Sequence, residues 1–270
     1  MTNVFITGAS SGIGEALARA YAAQGATLGL LARRRDKLEA LRQSLPHPER
    51  HRVYVVDVTD GVALQAAATD FMQTVNRVHV VVANAGISVG TLTEQAEDIA
   101  VFDRVLQTNL QATVATFSPF INAMKTYAGQ EPCRLVGIGS VAGIRGLPGA
   151  GAYSASKAAV ISYCESLRVE LRSSGIRVVT IAPGYIDTPM TQINHYPMPF
   201  LMPVADFAQQ AVKTIEAGDS YRVIPWQMGV VAKLLRVLPN AVYDAVFSRA
   251  PHKARAADQD AAQKPQPGAE

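Results

Sequence analysis

Cysteine and charge are both scarce in this chain. Only Cys133 and Cys164 occur in 270 residues, without a C-x-x-C and without histidine at metal-ligand spacing. That excludes a disulfide framework and gives no sign of a metal site. Both thiols are expected in the core, because free cysteine behaves as a small hydrophobe. Charged residues make up 17% of the chain against 49% hydrophobic. Soluble proteins average roughly 25% charge, so surface is expected to be buried between subunits of a homodimer or homotetramer. The net charge is +3 and no Lys/Arg block is dense enough to track a phosphodiester backbone, so nucleic acid is not an expected partner. Arg33-Arg34-Arg35 is the local exception, of a size that suits one phosphate group. The opening MTNVFITGAS lacks the basic flank and long apolar core of a signal peptide, and no apolar run is long enough to span a bilayer. A reducing cytoplasm is the expected compartment.

What is present is alternation. Short apolar, β-rich runs near residues 4–7, 27–31, 52–56, 79–83, 134–139, 176–182 and 221–224 are separated by helical patterns over 14–24, 35–45, 61–75, 98–127, 153–173 and 204–217. Continuous apolar strands joined by helical crossovers predict an α/β fold: a doubly wound parallel sheet of about seven strands with helices on both faces. Handedness then places a ligand crevice at the carboxyl ends of the strands. One domain is expected over 1–251, including a helical extension at 226–248, and the polar, Ala/Gln/Pro-rich stretch 252–270 is expected to be structureless.

The first strand runs into Thr7-Gly8-Ala9-Ser10-Ser11-Gly12-Ile13-Gly14, where a helix begins. Glycines there permit positive φ and close backbone approach to a pyrophosphate, while the helix N-terminus offers unpaired N–H groups and a positive dipole end. This loop, TGASSGIG, resembles the cofactor loop of the short-chain dehydrogenase/reductase family, which implies a Rossmann-like domain and a nicotinamide dinucleotide held by Gly8, Ser10, Ser11, Gly12, Ile13 and Gly14. After the second strand, Leu31-Ala32-Arg33-Arg34 carries no carboxylate to meet a ribose 2′-hydroxyl, so Arg33 suits a 2′-phosphate and NADP(H) is the expected cofactor. By the same resemblance Arg34 adds charge or stacks on the adenine, Asp57 binds the adenine, and Asn84-Ala85-Gly86 forms the turn after the fourth strand. Pro183, Gly184, Ile186 and Thr188 match the turn after the sixth strand, with the Ile186 backbone and the Thr188 hydroxyl facing the nicotinamide carboxamide.

Tyr153 and Lys157 lie four apart, on one face of a helix. A free phenol has a pKa of about 10 and is a poor base near neutrality. At about 5 Å and an effective dielectric near 20, an ammonium would stabilise the phenolate by on the order of 3 kcal/mol, or about two pKa units. Ser140, thirteen positions upstream of Tyr153 after the fifth strand, can hydrogen-bond a substrate oxygen. The resemblance implies that Tyr153, Ser140 and Lys157 are catalytic, and that Asn109 holds a water linking Lys157 to solvent. The expected activity is NADP(H)-dependent interconversion of a small-molecule alcohol and carbonyl, Tyr153 acting as general acid and base. A non-redox epimerase or dehydratase of the extended branch and an NADPH sensor without turnover are the alternatives.

The resemblance implies that substrate selection resides in the loop after the sixth strand, here the apolar, Pro-interrupted 190–203, through Met190, His195 and Phe200, with Ile144, Leu147 and Tyr185 expected to line the same pocket. The resemblance extends to about residue 225 and then departs. Beyond it Val231, Leu234, Leu235 and Leu238 fall at helical spacing, with Lys233 and Arg236 pointing elsewhere. This extension is expected to pack on the protein rather than lie on a membrane surface.

Overall fold

The computed structural model describes residues 1–194, 196–249 and 253–257. In chain order its strands are β1 (Asn3–Thr7), β2 (Thr27–Ala32), β3 (Arg52–Val55), β4 (Val80–Ala83), β5 (Cys133–Ile138), β6 (Ile176–Pro183), β7 (Ile186–Asp187), β8 (Met202–Pro203) and β9 (Tyr221–Ile224). The helices are α1 (Gly12–Ala23), α2 (Arg35–Ser44), α3 (Gly61–Val75), α4 (Asp98–Leu106), α5 (Ala112–Lys125), α6 (Gly151–Glu170), α7 (Pro189–Gln192), α8 (Val204–Ala217), α9 (Trp226–Val237) and α10 (Asn240–Phe247). Seven strands form one parallel sheet in the order β3-β2-β1-β4-β5-β6-β9. The partly exposed strands β3 and β9 take the edges, and the buried apolar runs of β1, β4 and β5 take the centre.

Strand alternation sends successive side chains to opposite layers. Val4, Ile6, Val80 and Val82 pack with Leu17 and Tyr21 of α1, Leu38 of α2 and Phe207 of α8. Phe5, Val81 and Ala83 pack on the other side with Phe71 of α3, Phe117 and Phe120 of α5 and Val160 of α6. Phe5 lies 5.6 Å from Phe71 and 5.1 Å from Phe120, centroid to centroid. Removing so buried a ring costs about 3–5 kcal/mol. The strand order reverses between β1 and β4, so the two halves of the sheet part there and leave a crevice at the strands' carboxyl ends.

Three local expectations change. The single helix over 98–127 is interrupted by a π-turn, Gln107–Gln111, between α4 and α5. An extra residue per turn leaves hydrophobic periodicity nearly intact, so the sequence reads as one helix. On α9 the buried face is Met228 and Ala232, whereas Leu234 is 62% exposed. Finally, residues 253–257 lie against the body, although 252–270 reads as structureless. Gly90 N donates to Ala254 O at 3.0 Å, and Arg255 binds Glu97 (2.7 Å) and Asp98 (2.8 Å). A Cβ on Gly90 would stand 2.1 Å from Lys253 O, so only glycine admits this approach.

Candidate active site

The crevice is a cleft of about 840 Å³ running from the start of α1 to the start of α6. Its floor follows from two glycines. Gly8 adopts φ +67°, and a Cβ there would lie 2.8 Å from Ala85 Cα; a Cβ on Gly14 would lie 2.2 Å from Gly8 O. Gly14 therefore packs beneath the loop, while Gly8, Ser10, Ser11, Gly12 and Ile13 line the cleft. Ser11 sits at the N-cap of α1 without capping it through its side chain, so the positive end of the helix faces the cleft uncapped by that residue. Asn84 braces the loop from β4: its Nδ2 donates to Thr7 O (3.0 Å) and Gly8 O (3.3 Å).

At one end of the cleft, the two arginines after β2 behave differently. Arg33 is largely exposed, 3.6 Å from Asp57. Arg34 turns inward, its Nη2 donating to Ser11 Oγ (2.8 Å) and Ser10 Oγ (3.0 Å). Asp57 Oδ1 accepts from Thr59 N (3.0 Å) and Thr59 Oγ1 (2.8 Å). The Thr59 backbone bond above all, with the Thr59 hydroxyl and Arg33, holds the Asp57 carboxyl below the usual range.

At the other end, β5 delivers Ser140 and the first turns of α6 deliver Tyr153 and Lys157 to a common wall. Ser140 Oγ accepts from Ala142 N at 3.1 Å, which fixes the hydroxyl at the head of a short 3₁₀ turn, Val141–Gly143. Lys157 Nζ donates to Ile138 O at 2.8 Å and stands 5.9 Å from the centroid of the Tyr153 ring. Burial pushes the Tyr153 phenol up from its ordinary value, and a hydrogen bond with Ser140 pulls part of the way back. Burial also pushes Lys157 down to about 8. Burial thus sets the direction for both groups, against the acidification of the phenol expected from the ammonium.

Asn109 occupies the π-turn and is buried. Its Oδ1 accepts from Ile87 N (2.8 Å), and its Nδ2 donates to Ile87 O (3.0 Å) and Ser156 Oγ (2.9 Å). Both amide donors are spent on protein groups, so the side chain ties the loop after β4 to α6, while Oδ1 keeps a second lone pair beyond its bond from Ile87 N. A Cβ on Gly86 would stand 3.2 Å from Asn109 Oδ1 and 3.6 Å from Lys157 Nζ, which shows how tightly these groups converge.

Ala85, Gly86, Pro183, Gly184, Ile186, Thr188 and Met190 also line the cleft. Thr188 caps α7 reciprocally with Thr191. Ile144, Leu147 and Tyr185 are not among the lining residues. The Leu147 backbone is drawn instead to Ser154 Oγ (3.2 Å), and the Tyr185 ring meets Tyr196 at 6.4 Å. Phe200, at φ +57°, turns to a separate depression of about 470 Å³ shared with Lys213 and Gln227. His195 lies outside the described residues. The sequence did not single out Arg104, Gln107 and Thr108, which line the cleft from α4 and the π-turn, whereas Tyr196 stands in the loop expected to select substrate. Burial above all pushes the Tyr196 phenol up to about 12, with smaller contributions from Tyr185 and Tyr153. An aromatic inside an apolar loop was the available signal. Among the described residues no cluster of metal-ligating side chains occurs, and no helix is long and apolar enough to cross a membrane.

Comparison with known proteins agrees with this geometry. The chain is 37% identical over 248 residues to an uncharacterized oxidoreductase of Myxococcus xanthus, covering 90% of this chain and 95% of that one. It is 36% identical to sulfoacetaldehyde reductase 2 of Chromohalobacter salexigens over 192 residues, 71% of this chain and 75% of that one. Among solved structures, 3-ketoacyl-(acyl-carrier-protein) reductase from Brucella melitensis complexed with NADH superposes with a TM-score of 0.75 at 24% identity, over 83% of this chain and 96% of that one, a likeness of fold. Residues 2–196 match the pattern of the short chain dehydrogenases, and the chain belongs to that family of oxidoreductases.

Proposed function

We propose that the chain interconverts an alcohol and a carbonyl on an apolar substrate with NADP(H), Tyr153 exchanging the proton. One observation carries this reading: Ser140, Tyr153 and Lys157 open onto the same cleft as the glycine loop and the uncapped end of α1. The residues present fit a dinucleotide, because a Cβ at Gly8 or Gly14 would fill or displace the cradle. A bound nicotinamide dinucleotide supplies the hydride. Tyr153 Oη gives a proton to the substrate oxygen in reduction and takes it back in oxidation. Ser140 Oγ, held by Ala142 N, donates to the same oxygen as charge develops on it. Lys157, anchored on Ile138 O, lines the cleft and has further N–H groups to offer the cofactor ribose. Asn109 acts as a positioning residue through Ile87 and Ser156. The low charge content supports a homodimer or homotetramer, and the expected compartment is the cytoplasm.

The 2′-phosphate falls to Arg34 more than to Arg33, since Arg34 already spans Ser10 and Ser11. Charge-assisted bonds of this kind contribute about 1.5–3 kcal/mol, so Arg34→Ala should weaken NADPH binding by about tenfold or more and leave NADH within about twofold. Fluorescence titration of both cofactors checks this; equal losses for the two would remove the phosphate assignment. The activity itself is tested by NADPH consumption against aldehydes including sulfoacetaldehyde, ketones, steroids, quinones and acyl thioesters, with NADH in parallel. Turnover of a carbonyl is expected. Tight NADPH binding without consumption across the panel would overturn the oxidoreductase reading.

A further inference from the structure

The two C-terminal helices expose an apolar face that nothing in the described chain covers. Along α9, Trp226, Val230, Leu234 and Val237 recur on one face and are 69%, 48%, 62% and 77% exposed. On α10, Val242 and Val246 are four apart and 47% and 63% exposed. The opposite side is turned to the body, where Met228, Ala232 and Tyr243 are buried. Arg145 fastens the joint. It donates to Leu235 O, to Leu238 O at 2.7 Å and to Asn240 Oδ1 at 3.0 Å, with its guanidinium 4.0 Å from the centroid of the Tyr243 ring. Tyr243 in turn donates to Gly146 O at 2.6 Å. The pair is therefore held with its apolar side outward. Its border carries more positive than negative charge: Lys233 and Arg236 are exposed on α9 and Arg249 follows α10, against one exposed carboxylate, Asp244 on α10.

We propose that α9 and α10 dock on an anionic lipid surface, the apolar face entering the headgroup boundary while Lys233 and Arg236 meet anionic headgroups. Charge separates this from contact with a second copy. In a two-fold contact a patch meets itself, which would bring the Lys233 and Arg236 of two chains together with a single carboxylate per chain, Asp244 on α10, to offset them. Size separates them again. Helices of twelve and eight residues are about 18 and 12 Å long and about 10 Å wide, a joint footprint of roughly 300 Å² against about 800 Å² per partner in a stable protein interface. A lipid surface needs no matching shape, and an apolar stripe with a basic border supplies the two signals that reversible anchoring takes.

Trp226 is the single tryptophan of the chain and reports docking directly. The full chain is mixed at low salt with vesicles of three parts phosphatidylcholine to one part phosphatidylglycerol, and separately with phosphatidylcholine alone. Cosedimentation with the anionic vesicles and a blue shift of Trp226 emission are expected, both lost at high salt. Leu234→Asp, at an exposed position that should leave folding intact, should cut partitioning by about tenfold. Absence of cosedimentation with the anionic vesicles overturns the proposal. So does sedimentation velocity showing, without vesicle binding, an oligomer that Leu234→Asp splits, because the face would then join copies of the chain. Neither readout depends on turnover.

Discussion

Lys157 pays for its position in the cleft wall. At 5% exposure its ammonium has lost most of its water and donates to Ile138 O at 2.8 Å. Burial lowers its pKa from 10.5 to about 8, so the folded chain carries a penalty on the order of 3 kcal/mol below about pH 8, which fades as pH rises toward 10.5. Lys157→Met should therefore abolish turnover yet raise the thermal midpoint at neutral pH, and the gap between variant and parent should shrink as pH rises from about 8. Thermal melts of both proteins across that range check this. Taking the difference removes the opposite trend from Cys133 and Cys164, whose thiols burial pushes up to about 11. The raised phenol of Tyr153 has its own consequence. It stays protonated through neutrality, so carbonyl reduction should hold its rate there while alcohol oxidation climbs with alkaline pH, as initial rates in both directions would show. The residues at this scale were legible because Ser140, Tyr153 and Lys157 form a pattern in the chain. Their charge states were not, because desolvation depends on what packs around them.

At the scale of elements, the π-turn at Gln107–Gln111 shows where periodicity stops being informative. The bulge presents Asn109 to Ile87 and Ser156 at once, joining the loop after β4 to the helix that carries Tyr153. Asn109→Ala leaves buried partners unsatisfied at about 1–3 kcal/mol each, so a lower thermal midpoint should accompany a fall in kcat. Unchanged kcat in a destabilised but folded variant would assign Asn109 to stability alone. Strands were readable as short apolar runs, since a parallel sheet covered on both faces requires little else of sequence. The loop 190–203 was not readable in the same way. Phe200 and Met190 look alike as apolar loop residues, and only the turn at Phe200 and the pairing of β7 with β8 separate the one that lines the cleft from the one that leaves it.

For the whole molecule, a doubly wound parallel sheet follows from alternation and handedness, and the cleft follows from the reversal of strand order between β1 and β4. The tail does not follow from either. Arg255 looks like one more charge in a polar stretch, and its partners Glu97 and Asp98 lie more than 150 positions away in sequence. Arg255→Ala should increase amide exchange at Gly90 and Thr91, which border the loop carrying Val89 into the cleft, and lower the thermal midpoint. Hydrogen exchange with mass detection reads both segments. The chemistry rests in the end on a single hydroxyl facing the cleft. The most direct measurement is the turnover of Tyr153→Phe on a confirmed carbonyl substrate, together with its affinity for NADPH. Affinity within about threefold of the parent and a rate lower by at least about a hundredfold are predicted. A variant that binds NADPH and keeps most of its turnover would show that the proton comes from another group.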